Sequence, residues 1–149
     1  MTIKQALYQL CQTAIQQKIE QAQKGISDAQ SSANNETKSS AGDKYETARA
    51  MMHLEKERFA RQLAEAIQLN ETLSNAQVLK SYETVQAGAL VETSNGYFLI
   101  AASLGKLKHE GKTYFALSFA SPIAQAIRGL KTGETGTFRG KKINIISIQ

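Results

Sequence analysis

Two carboxylates three residues apart, Asp43 and Glu46, are the residues whose types and spacing best suit chemistry in this chain. On a helix that spacing sets both side chains on one face, one above the other. Carboxylates that converge without an internal cation repel each other. They suit a hard divalent ion such as Mg²⁺, held jointly with oxygen ligands from another molecule. The pair lies in Ala41-Gly42-Asp43-Lys44-Tyr45-Glu46-Thr47-Ala48, between two long helical patterns, so this stretch is expected at the tip of a helical hairpin. A plainer role is also open. With Ser40 as N-cap, Asp43 falls at the third helical position and fits a capping box with Asp in place of Glu, where the positive helix end favours it. A solvated, acid-rich first turn would then account for both acids.

The elements that must position the pair are legible on either side. Ile3, Leu7, Cys11, Ile15, Ile19, Ala22, Ile26, Ala29 and Ala33 recur at steps of three and four, the seam of a coiled coil over residues 3–33. Gly25 interrupts this helix at a cost of about 1 kcal/mol relative to Ala. Residues 34–42 lose the period and are rich in Asn, Ser and Gly, which favour turns and caps. A second helix is expected from about Asp43 to Leu73, with Ala48, Met52, Phe59, Leu63, Ala66, Ile67 and Leu73 on its apolar face. His53 is expected as an exposed helix residue, since Met52 occupies the seam. Two helices of similar length joined by a short turn form an antiparallel hairpin over residues 1–75, its acidic tip near 40–48.

After residue 76 the period changes. Thr84–Thr93 is strand-like, Asn95-Gly96 reads as a hairpin turn, and Tyr97–Ala102 is its partner. His109-Glu110-Gly111-Lys112 turns into a strand at Thr113–Ser118. Ser121-Pro122-Ile123 carries a cap and then Pro at the first helical position, predicting a short helix that Gly129 ends. Lys131–Gly136 is a turn, and Thr137–Arg139 and Lys142–Ile148 finish the domain as strands. Residues 76–149 therefore form a compact antiparallel sheet with one short helix, and the fold class is α+β.

Composition narrows the setting. The chain has 149 residues, no Trp, one Pro and a formal charge of +5. Residues 1–75 carry nine basic and nine acidic side chains, residues 76–149 nine basic and four acidic, so the excess sits in the second half. A basic compact domain points to an acidic partner surface, nucleic acid or acidic protein, and ordinary solubility explains it as well. No apolar run approaches the roughly 20 residues that span a bilayer, and the start lacks the pattern of a signal peptide. Cys11 is alone, which excludes an internal disulfide and suits a reducing cytoplasm. It is expected as a small apolar residue on a helix face. One Cys with His53 and His109 does not make a structural zinc site.

The chain resembles the bacterial Gre family of transcript-cleavage and transcription elongation factors over essentially its full length. Gly42-Asp43-x-x-Glu46-x-Ala48 is similar to the family's Gly-Asp-Leu-Ser-Glu-Asn-Ala. Ser121-Pro122-Ile123-Ala124-x-Ala126-Ile127-x-Gly129, followed by Gly133-Glu134, is similar to the family's Ser-Pro run. The resemblance implies a coiled-coil hairpin followed by an FKBP-like domain. It also implies a cytoplasmic, monomeric accessory factor rather than an enzyme, working on RNA polymerase through its secondary channel. Asp43 and Glu46 would then direct a Mg²⁺ shared with the polymerase active site and promote the polymerase's own cleavage of backtracked RNA. Ser121, Pro122 and Ile123 would belong to the docking surface, and Lys38, Lys44 and Arg49 would touch RNA near the tip. Each of these also has an ordinary role, as helix cap, core residue or solvated helix-end charge.

The chain departs from the family at Lys44, Tyr45, Thr47 and Arg49. A second reading is therefore a channel binder whose tip obstructs rather than assists. A prolyl isomerase is disfavoured because the second domain has no Trp and few aromatic residues. A nucleic-acid-binding coiled coil is disfavoured because the hairpin carries no net positive charge.

Overall fold

The computed structural model describes residues 1–36 and 42–149, with side chains described throughout except at 33, 35, 36 and 42–45. Two long helices, α1 (Ile3–Glu36) and α2 (Gly42–Ala76), precede six strands and a short helix. The strands are β1 (Leu90–Thr93), β2 (Gly96–Ala101), β3 (Gly105–His109), β4 (Lys112–Ser118), β5 (Thr135–Phe138) and β6 (Lys141–Ile148), with α3 (Pro122–Ile127) between β4 and β5. This is the α+β arrangement expected from the sequence. Two compact units divide the chain, Ile15–Gln68 and Met1–Ala14 with Leu69–Gln149.

In the unit Ile15–Gln68, α1 and α2 run antiparallel. Lys56 Nζ donates to Gln30 Oε1 at 2.7 Å, and Phe59 lies against Gly25. Ile15, Ala22, Ala29 and Ala66 are buried on the seam, with Ile19, Ile26, Met52, Phe59 and Leu63 half-buried beside them. Ile67, expected on the apolar face, is 47% exposed. The buried Ala66 carries the seam at this level instead, so Ile67 falls to one side. The need for glycine at 25 is steric. A Cβ there would stand 2.6 Å from Phe59 Cδ2 and closer still to Cγ and Cδ1.

In the other unit the strand order is β3-β4-β2-β1-β6-β5. Every pairing is antiparallel except β2 with β4, where Tyr97 to Ala101 match Tyr114 to Ser118 in parallel. A parallel pair needs a crossover, and residues 102–111, which contain β3, supply it. One face of the sheet holds the main core: Val91, Phe98, Ile100, Ile143 and Ile145 pack with Ala124 and Ile127 of α3.

Three local differences from the sequence reading have plain causes. Residues 84–89 are not a strand. They are held by two isolated contacts, Val85 N–H to Leu130 O at 2.9 Å with Gly129 N–H to Val85 O at 2.8 Å, and Gly88 N–H to Ile100 O at 2.6 Å with Ile100 N–H to Ala89 O at 2.9 Å. Gly88 turns the chain at φ +96°. The first hairpin pairs Thr93 with Gly96, so its loop is Ser94-Asn95 and Gly96 takes the positive φ. β3 was not anticipated. It pairs with β4 across Glu110-Gly111, both at positive φ, the geometry of a two-residue hairpin turn that follows sheet twist.

Two side chains tie this unit together. Lys4, only 7% exposed, donates to Lys80 O at 2.6 Å and Gln149 O at 3.1 Å, its ammonium 4.8 Å from the Tyr82 ring centre. Burial lowers its pKa to about 8. Tyr82 Oη donates to Gln77 O at 2.8 Å, just past the end of α2, with Ala76 O 3.3 Å away. Cys11 is fully buried, and burial raises its thiol pKa to about 11.

Candidate functional site

α2 begins at Gly42, so Asp43 and Glu46 fall within its first two turns, beyond the point where α1 stops at Glu36. The backbone at both positions is helical. The side chains of Asp43 and Lys44 lie outside the described residues, as does all of Lys38. Glu46 and Arg49 are exposed. They share one flank of α2 and line a groove of about 510 Å³ with Met52, His53 and Lys56, opposite Ala29 and Gln30 of α1. His53 is exposed, as expected, with Nε2 3.3 Å from Glu57 Oε1.

Lys56 stands where the seam calls for an apolar residue. Its contact with Gln30 is a hydrogen bond at the surface rather than core packing, so the groove opens between the helices on this side. Among the described residues no three His, Cys, Asp or Glu side chains gather to hold a metal ion. Two carboxylates alone do not complete a Mg²⁺ shell, whose remaining oxygen ligands come from water or another molecule.

The second locus is α3. Ser121 is its N-cap, at φ −62° and ψ 148°, and its Oγ accepts from Ala124 N–H at 3.4 Å. Pro122 follows in the first turn and is exposed. Ser121 is thus engaged in the cap, as one of the two sequence readings has it. Ile123 is half-buried and lines a groove of about 410 Å³ on the core face of the sheet. Phe98, Phe115, Leu117 and Phe138 line it with Ile123, and Asn95, Arg139 and Lys141 complete it. None of these lining residues except Ile123 was singled out by sequence reasoning. Their convergence depends on register between strands distant in sequence; the basic excess of the second half was the available signal.

No described helix is long and apolar enough to cross a membrane. No protein-family model matches the chain, and no curated protein matches it. Among solved structures it is similar to the crystal structure of GreA factor homolog 1 (Gfh1) protein of Thermus thermophilus, at 17% identity over 91% of this chain and 92% of that one. The TM-score is 0.35, and a likeness of that degree carries no assignment of activity.

Proposed function

We propose that this chain is a transcription elongation factor of the Gre type, which carries a carboxylate pair into the secondary channel of RNA polymerase and stimulates the polymerase's own cleavage of backtracked RNA. The observation that supports this reading most directly is the placement of Asp43 and Glu46 in the opening turns of α2, with Glu46 exposed. An exposed acid near the start of a helix can reach a metal held by a partner. The motif similarity at Gly42–Ala48 and at Ser121–Gly129 supplies the partner.

In this reading Asp43 and Glu46 act as oxygen ligands that complete, from outside, a site the polymerase builds in part. Mg²⁺ in a two-metal site offsets charge on the attacking and scissile oxygens. Lys38, Lys44 and Arg49 contribute positive charge beside the acids and touch RNA phosphates. Ser121, Pro122 and Ile123 belong to the dock on the polymerase, with exposed Pro122 as the contact and Ser121 as the cap that holds α3 in shape. The chain supplies ligands and position, and the bond-breaking centre belongs to the polymerase.

The test is RNA cleavage in a stalled, backtracked complex of the cognate polymerase at limiting Mg²⁺. Added protein should speed release of the short 3′ fragment, and the Asp43→Ala/Glu46→Ala double variant should bind the polymerase without that effect. Cleavage that is unchanged by the double variant would remove the acids from the mechanism. Slowed elongation with no added cleavage would favour the second reading, a tip that obstructs the channel, for which Lys44 and Arg49 beside the acids are the motivating departure.

A further inference from the structure

The groove beside α3 has a composition that neither its core role nor the tip chemistry uses. Phe115 and Phe138 are half-buried and leave part of their rings open, with Leu117 and Ile123 between them and the buried Phe98 beneath. Phe98 and Phe115 have ring centres 6.0 Å apart on neighbouring strands. At one side stand Arg139 and Lys141, the Arg139 guanidinium 5.0 Å from the Phe138 ring centre. At the other side runs β3. Lys106 pairs with Phe115 and Lys108 with Thr113, which places both lysines on the same face of the sheet as the groove, about 7 Å apart along the strand. All four cations are exposed, and no acidic residue lines the groove.

We propose that this face of the sheet binds single-stranded RNA, bases entering the phenylalanine groove and phosphates tracking Lys106 and Lys108 on one side and Arg139 and Lys141 on the other. Three features favour this occupant. The partly exposed rings of Phe115 and Phe138, beside the packed core on this face, offer stacking surface to any base. Cations spaced along a strand suit a chain with a charge on every unit. The Asn95 side chain at the rim offers an amide donor and acceptor to a base edge. The basic excess of residues 76–149 thereby acquires a specific location, while the neutral helical pair takes no part. This inference shares Ile123 with the polymerase dock proposed above but does not depend on it, and is tested without polymerase.

The experiment is fluorescence anisotropy of the full chain with a single-stranded RNA of roughly 12 nucleotides, as a function of salt. Four phosphate contacts predict a slope of log K against log salt of about −3. Replacing Lys106, Lys108, Arg139 and Lys141 together by Ala should bring the slope near zero and weaken binding at least about tenfold at low salt. These side chains are exposed, so the fold should survive, and circular dichroism verifies it. A control with the exposed α1 residues Lys18 and Lys24 changed to Ala should bind as the parent does. Duplex RNA of the same length, its bases unavailable for stacking, should bind more weakly.

Absence of binding at about 50 mM salt, or binding untouched by the four-site variant, would overturn the proposal. So would duplex binding equal to single-strand binding. Displacement of the RNA by an acidic, apolar peptide at lower concentration would assign the groove to a protein partner instead.

Discussion

Replacing Gly25 by Ala should destabilise the helical pair, although an isolated helix would gain from it. The intrinsic gain is about 1 kcal/mol, because glycine is a poor helix former. Against it stands Phe59. The new methyl would sit 2.6 Å from Cδ2 and nearer to Cγ and Cδ1, so the ring must leave its place. Overpacking of this kind costs about 1–3 kcal/mol. If the ring instead swings into solvent, the half-burial of Phe59 is lost, at about 1 kcal/mol from the apolar area involved. The expected net effect is a loss of up to about 2 kcal/mol, read from urea unfolding followed at 222 nm.

A double-mutant cycle isolates the cause. In a Phe59→Ala background the steric conflict is gone, so Gly25→Ala should stabilise by its intrinsic amount of about 1 kcal/mol. The same stabilising effect in both backgrounds would refute the close approach of Gly25 and Phe59.

Stability should rise with pH between about 8, the folded-state pKa of Lys4, and 10.5, its ordinary value, because the unfolded chain holds the extra proton there. The opposing group is Cys11, whose thiol pKa is raised from 9.0 to about 11, so its contribution is lost as pH climbs through that window. Unfolding measured against pH should therefore show a rise from about 8 to 9 that flattens above it. In Cys11→Ala the rise should continue toward 10.5, and in Lys4→Met it should vanish. The buried thiol should resist iodoacetamide at pH 8 in the folded chain and react on denaturation, since the thiolate is the reactive form. Tyr82→Phe removes the hydroxyl that caps Gln77 O and should lower stability by about 1 kcal/mol, seen as a lower unfolding midpoint with an unchanged slope.

The parts of this fold that local sequence specifies were legible in advance. The Ser121-Pro122 start of α3 follows from cap chemistry and the fixed φ of proline, neither of which needs distant partners. The seam of α1 is likewise local, since a helix brings i, i+3 and i+4 together by itself. β3 was missed because Leu107 alone of Gly105–His109 is buried. A Lys-Leu-Lys run carries too little alternation to distinguish it from loop, and only pairing with β4 makes it a strand. Thr84–Ala89 looked like a strand by composition, yet its backbone groups go to Leu130 and Ile100 rather than to a ladder. At the candidate site, the spacing of Asp43 and Glu46 was visible at once. The aromatic groove was not, since it assembles from β2, β4, β5 and α3 by register.

The position of β6 has a consequence for how the molecule comes into being. It lies between β1 and β5, pairing Glu92 with Ser147, although four strands and α3 separate it from β1 along the chain. During synthesis β1 and β2 can close as a hairpin and β3 and β4 as another while still tethered to the ribosome. The flank of β1 stays bare until β6 emerges. Val91 and Ile100 therefore lack their Ile143 and Ile145 neighbours until that strand arrives. Contacts this distant along the chain form slowly because the intervening loop must close first. The interval between emergence of β1 and arrival of β6 is thus the stage at which a nascent copy is most exposed to edge-to-edge association with another.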